Sequence, residues 1–299
     1  MENQSPFRFI GPGKKESKPS VEKKSGYRRL RSWPLVSVFI LAGIIFGCAA
    51  AGLMANHDPA HFYLDHLGEA PGMTFYFGTD SLGRDIYSSI WYGGRRSLCI
   101  GFIGMAVSSV VGILYGCLSG IAPSQLDMLF MRMAELLSSI PAILLDMVLL
   151  ACISTPDVVS VAVVIGVTSW MNLARMVRNE VRKIRNSDYV LASRCMGGGF
   201  LHILRWHLVP NFLPSVMFMI ISSIGSAILM ESTLSFLGLG LPVESISWGS
   251  MLSLSQRALL TNSWWVILMP GLFIISTLLC ITNIGHYLRC TANRNESNL

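Results

Sequence analysis

The chain is poor in charge. Only 13% of its 299 residues are Asp, Glu, Lys or Arg, while 52% are hydrophobic; an ordinary soluble domain carries about 25% charged residues. With a mean hydropathy of +0.53, this excludes a water-soluble globular body and indicates an all-α polytopic membrane protein. Ligand-type cysteine spacing is also missing. The seven cysteines (Cys48, Cys99, Cys117, Cys152, Cys195, Cys280, Cys290) are scattered, odd in number and mostly inside apolar runs. They read as small packing residues, with neither a disulfide framework nor a zinc site. No G-x-x-x-x-G-K-[ST] loop occurs, because Gly13–Lys14 lacks both the earlier glycine and a following Ser or Thr. There is no G-x-S-x-G, no arginine ladder, no clustered nucleophile and no aligned set of ionisable groups. The chain is therefore not read as an enzyme, no cofactor is implied, and energy for any driven process must come from another chain.

What is present is a series of about six apolar windows, near 34–56, 97–120, 133–153, 158–177, 212–234 and 264–288. Each approaches the ~20 residues that cross a bilayer. The polar, Lys- and Pro-rich stretch 1–33 is read as a flexible basic tail, and 34–56 as a retained anchor rather than a cleaved signal. Residues 57–94 form an outer loop, 95–290 the transmembrane core, and 291–299 a short tail. Basic residues concentrate in the tail (Lys14, Lys15, Arg28, Arg29 and others) and in 178–207 (Arg178, Arg182, Lys183, Arg185, Arg194, Arg205). With six spans these segments fall on one side, so both termini are expected in the cytoplasm and the protein in the cell membrane. Arg95 and Arg96 run against this bias without outweighing it. The net charge of +6 thus marks sidedness rather than a nucleic-acid surface.

Gly112, Gly116 and Gly120 form a tandem G-x-x-x-G, which serves either packing within the chain or a subunit interface. Asp146 lies inside an apolar window, where a mid-bilayer carboxylate costs roughly 2.5–3.5 kcal/mol. It either lines a pathway or hydrogen-bonds a neighbouring span. Glu231 sits near a span end, in a structural or gate role. The stretch "NHDPAHFYLDHLGE" (56–69) is read as a solvated loop, the alternative being a surface metal site built on His57 and His61.

Residues 189–212, "YVLASRCMGGGFLHILRWHLVPNF", are too polar to span and too apolar to be a free loop. Helix-favouring residues run from Asn186 to about Gly197, and Gly197, Gly198 and Gly199 permit a bend. A second amphipathic piece runs through Phe200, Ile203 and Leu208 and ends at Pro210. Such a pair of helices either rests on lipid or fits a groove on another protein.

This segment resembles the cytoplasmic coupling loop, or EAA loop, of type I ABC importer permeases. Leu191-Ala192-Ser193, Gly197 and Leu208-Val209-Pro210 stand at its pattern positions. The family's glutamate is replaced by Leu191, so its charged contact is not available here. "FGTDSLGRDIYSSIWYGGRRSL" (77–98), "WMNLARMVRNEV" (170–181) and "ESTLSFLGLGLP" (231–242) followed by "SWGSML" (247–252) resemble stretches of the second permease of dipeptide, oligopeptide and nickel importers. "NIGHYLRC" departs from the family's usual C-terminal charge pattern.

The resemblance implies a type I ABC importer permease fold with its coupling loop near 180–211. It also implies a homologous second permease, two ABC ATPase subunits and an extracytoplasmic solute-binding protein. It places Tyr189, Leu191, Ala192, Ser193, Arg194, Met196 and Gly197 at the ATPase contact. The small Ala192 and Ser193 would permit close approach, and Gly197 would set the angle between the two helices. The implied cargo is di- or oligopeptides, with nickel or a metal chelate as the alternative. A stand-alone channel or ion-coupled carrier is the reading from another class.

Overall fold

The computed structural model describes residues 33–185, 187–242, 245–258 and 263–296. Apart from Trp33, the expected basic tail lies outside the described residues. So do the side chains of Tyr189 and Arg194. The elements are helices α1 (Trp33–Ala49), α2 (Ala51–Met54), α3 (Ile86–Ile121), α4 (Ser124–Ser138), α5 (Ala142–Ala151), α6 (Val158–Ser169) and α7 (Met171–Ile184). They continue with α8 (Asp188–Cys195), α9 (Phe200–Ile203), α10 (Val209–Phe236), α11 (Trp248–Ala258) and α12 (Trp264–Glu296). The body is all-helical, as expected from composition.

Among the described residues three helices are long and apolar enough to cross a bilayer: α3, α10 with the turn preceding it, and α12. Counting each bent pair, α4–α5 and α6–α7, as one crossing gives five. Helix α1 is apolar but only 17 residues long, about 25 Å at 1.5 Å per residue, and stands where the first window was expected. The pairs bend by 78° and 47°, where straight windows were expected. Ser139, Ile140 and Pro141 separate α4 from α5, and Pro141 has no N–H to carry the ladder across. The α6–α7 bend falls at Trp170, whose ring packs on Tyr115 at 4.5 Å.

Helix α3 begins at Ile86, well before its apolar window, because Asp85 caps it by accepting from the N–H groups of Tyr87 and Ser88. At 36 residues it is about 54 Å long, far more than a ~30 Å hydrocarbon core requires. Its glycine face decides between the two expectations for the G-x-x-x-G run. A Cβ on Gly116 would lie 2.6 Å from the Ala174 carbonyl oxygen, and one on Gly120 2.7 Å from a Val181 methyl. The glycines admit α7 of the same chain, so the motif is intrachain packing.

The core has several apolar centres. Trp248 is fully buried with Ile90, Leu98, Ile228, Val266 and Ile274, joining α3, α10, α11 and α12. A second centre packs Val177 and Val181 of α7 against Val190 of α8, Leu204, Leu208 and Phe212. It fastens the segment between α7 and α10 to the bundle.

Candidate functional site

Segment 187–212 begins as the sequence suggests. Ser187 opens α8 by accepting, through its carbonyl, from Val190 and Leu191. Helix α8 ends on a Schellman cap: Gly198 N–H donates to Ser193 O at 2.9 Å, Met196 N–H to Ala192 O at 3.0 Å, and Gly197 has φ +85°. A Cβ on Gly198 would come within 2.8 Å of Ser193 O, whereas Gly197 and Gly199 have open space around them. Of the three glycines, Gly197 is required by its backbone angle and Gly198 by close approach.

The second piece differs from expectation. Pro210 does not end it; the helix runs on from α9 through a wide turn, Leu204–Leu208, into α10. Val209 N–H reaches back to Leu204 O, an i→i−5 bond, so the proline falls in the first turn of α10, where no N–H is needed. The segment is therefore fused to a spanning helix rather than hinged to it.

The side chains of α8 divide in two. Val190 is fully buried and Ser193 is 4% exposed, while Leu191 is 44% and Met196 82% exposed, with Ala192 exposed between them. Ser193 thus faces its own chain, and the outward face is Leu191, Ala192 and Met196. Beneath it, Arg185 donates to the Gly120 and Ala122 carbonyls at 2.9 and 3.3 Å. These contacts tie the segment to the end of α3.

At this same basic end, Asp127 of α4 is 3% exposed. It accepts from Arg178 Nε at 2.6 Å and from Arg178 Nη2, pairs with Arg182 at 3.1 Å, and accepts from Ser119 Oγ at 2.6 Å. One carboxylate thereby binds α3, α4 and α7 together. Sequence reading missed it; the signal was an acid in an amphipathic helix and two arginines four apart. Nothing local connects partners fifty-one positions apart.

At the far end, Glu231 has no exposure. It accepts from Ser247 Oγ at 2.7 Å, Ser235 Oγ at 2.9 Å and Ser97 Oγ at 3.3 Å. Ser97 also accepts from Trp248 N–H at 3.1 Å, and a Cβ on Gly249 would lie 3.0 Å from the Glu231 carboxylate. The clasp brings "GGRRSL", "ESTLSFLGLG" and "SWGSML" to one point and fixes α3, α10 and α11. Asp146 is buried as well; it accepts from Thr168 Oγ1 of α6 at 2.6 Å, and its Oδ2 has no partner among the described residues.

The "FGTDSLGRD" stretch is a folded loop closed by a Thr79–Asp85 bridge. Gly78 and Gly83 take φ +74° and +75°, and a Cβ on Gly83 would lie 2.3 Å from Tyr63 O. Burial pushes the Asp80 carboxyl above the ordinary carboxylate range, against backbone N–H donors and the Arg84 charge. Asp80 lines, with Ser89, Met147, Leu150 and Met251, a cavity of about 320 Å³. Of the histidines nearby, His57 stacks on Phe75 at 4.8 Å and His61 meets Tyr63 at 4.6 Å, while His66 Nδ1 pairs with Glu69 Oε2 at 2.6 Å, its ring 5.4 Å from that of Phe75. Among the described residues no group of three or more His, Cys, Asp or Glu side chains is placed to hold a metal. Arg95 and Arg96, anomalous in sequence, donate to the Ala49 and Ile246 carbonyls at 2.7 and 3.1 Å.

Residues 112–289 match the family model described as binding-protein-dependent transport system inner membrane component. The chain is 32% identical to the dipeptide transport system permease protein DppC of Bacillus subtilis, over 90% of this chain and 84% of that protein. It is 33% identical to the oligopeptide transport system permease protein OppC of the same organism, over 93% and 92%. The di/tripeptide transport system permease protein DppC of Pseudomonas aeruginosa is 34% identical, over 82% of each. A chain from inward-facing structures of the methionine ABC transporter MetNI superposes with a TM-score of 0.57. That match is 19% identical and covers 68% of this chain and 96% of that one, a likeness of fold.

Proposed function

Because this chain belongs to the binding-protein-dependent inner membrane component family and is a non-catalytic, multi-pass permease subunit of an ABC transporter, we propose that it carries di- or oligopeptides inward. In this reading it forms the pathway with a second permease, driven by two ATPase subunits and supplied by a solute-binding protein. The observation that carries the cargo is the agreement of relatives named for dipeptides, oligopeptides and di/tripeptides, at 32–34% identity over 82–93% of this chain. His57 and His61, the candidate metal pair, are engaged with aromatic rings, which favours peptides over a metal chelate.

The basic end faces the cytoplasm, both termini lie there, and the Glu231 clasp lies outside. Helix α8 docks in an ATPase cleft through Leu191, Ala192 and Met196, with Tyr189 and Arg194 beside them. Ser193 and Gly197 hold its angle. Nucleotide-driven closure of the ATPases moves α8, and the fused α9–α10 passes that displacement into a spanning helix as a rigid-body change. The Glu231 clasp holds the outer ends of α3, α10 and α11 together while the inner ends move.

Purifying the complex with its binding protein and identifying the co-purified ligand by mass spectrometry tests the cargo. Short peptides are expected; nickel or a chelate in their place overturns the peptide assignment.

A further inference from the structure

The basic end carries a cleft of about 480 Å³ between α4 and α7. Four guanidinium groups line it, Arg132, Arg175, Arg178 and Arg182, against two carboxylates, Asp127 and Glu135. Arg132 is matched by Glu135 at 2.9 Å. Asp127 is shared by Arg178 and Arg182, which leaves one charge in excess. Among the described residues Arg175 donates only to the Ser138 hydroxyl, at 3.0 Å. The cleft thus holds two positive charges that the described residues do not neutralise. The start of α4 opens onto it at Ser124, where no side chain caps the free N–H groups, adding a positive helix end.

Beside Arg132, α4 carries exposed apolar side chains, Leu129 58%, Met133 50% and Leu136 64% exposed, and Ile140, just past the helix end, is 44% exposed. A basic mouth continuous with an apolar strip matches an amphiphile with an anionic head. A soluble anion would leave the strip unused, and a neutral lipid would leave the charge unmatched.

We propose that this cleft binds the phosphate headgroup of an anionic phospholipid in the leaflet at the basic end, its acyl chains lying along Leu129, Met133, Leu136 and Ile140. Arg175 and Arg182 supply the free charge, Arg178 stays committed to Asp127, and the bound lipid adds to the tie that Asp127 makes between α4 and α7. The site is independent of cargo and of which partner drives transport.

The complex of this chain with its partner subunits, reconstituted in nanodiscs of equal phosphatidylcholine and phosphatidylglycerol, tests this by native mass spectrometry. Retained phosphatidylglycerol is expected to fall about fivefold per arginine removed in an Arg175→Gln/Arg182→Gln variant. A Lys183→Gln control, on the same helix outside the cleft, retains the wild-type amount. Equal retention in all three proteins overturns the proposal, as does displacement of the lipid by inorganic phosphate. Should the double variant fail to assemble, photoactivatable phosphatidylglycerol on the wild-type complex decides. Adducts within 124–140 and 175–182 are expected; adducts elsewhere, or cross-linking of that α4 face to the second permease, overturn it.

Discussion

Gly197 is the residue whose backbone most constrains the coupling segment. Its φ of +85° costs an L side chain about 1–2 kcal/mol, yet among the described residues nothing beyond its chain neighbours lies within 4 Å of where a Cβ would stand. The strain is conformational, not steric. Gly197→Val is expected to leave membrane insertion intact and to separate ATP hydrolysis from uptake. Gly197→Asn, a residue that tolerates this conformation, is expected to retain most uptake; equal loss in both would move the cause from backbone angle to side-chain volume. Glu231 offers a second residue-scale contrast. Glu231→Ala strands three buried hydroxyls, each unsatisfied group costing about 1–3 kcal/mol, and is expected to lower the melting temperature of the complex by several degrees. Glu231→Gln preserves the shape and one carbonyl acceptor, so most of that stability is expected to remain. The glycine bend and the oddity of a carboxylate at Glu231 were legible in the sequence, because glycine runs and charges in apolar windows are local signals; the three serines that meet Glu231 were not. The inward turn of Ser193 was not, since a short helix presents opposite faces at adjacent positions and only the packing of Val190 sets which face is buried.

Among elements, α3 and α7 approach each other closely through the glycine face of α3. Gly116 lies against the Ala174 carbonyl and Val177, so Gly116→Leu forces apart two helices whose association depends on close packing. Loss of assembled complex on size exclusion is expected, whereas Gly271→Leu, with open space around it, is expected to assemble normally. Asp127 reinforces the same junction from α4. The windows for α3, α10 and α12 were readable from hydropathy. The bend at Pro141 had a local signal, a proline inside an apolar window, which the window reading passed over; the bend at Trp170 had none, because nothing in an apolar run marks where a ring packs against another helix. Pro210 misled in the opposite direction: a proline suggests an end, but the wide turn before it places it where its missing N–H does no harm.

For the molecule as a whole, the fold is a bundle with a clasp at each end and a short helix fused to a long one. Glu231 with its three serines fixes the far end, and Asp127 with Arg178 and Arg182 fixes the basic end. Between them α8 presents Leu191, Ala192 and Met196 outward, and α9 leads without a break into α10. This arrangement suits a subunit moved by a neighbour, consistent with a chain that has no phosphate-binding loop of its own. The most direct test places a photo-crosslinking amino acid at Leu191 in the assembled complex. An adduct with an ATPase subunit, its yield changing when ATP is added, is the expected result. Adducts with lipid alone, with or without nucleotide, would contradict the coupling role of α8.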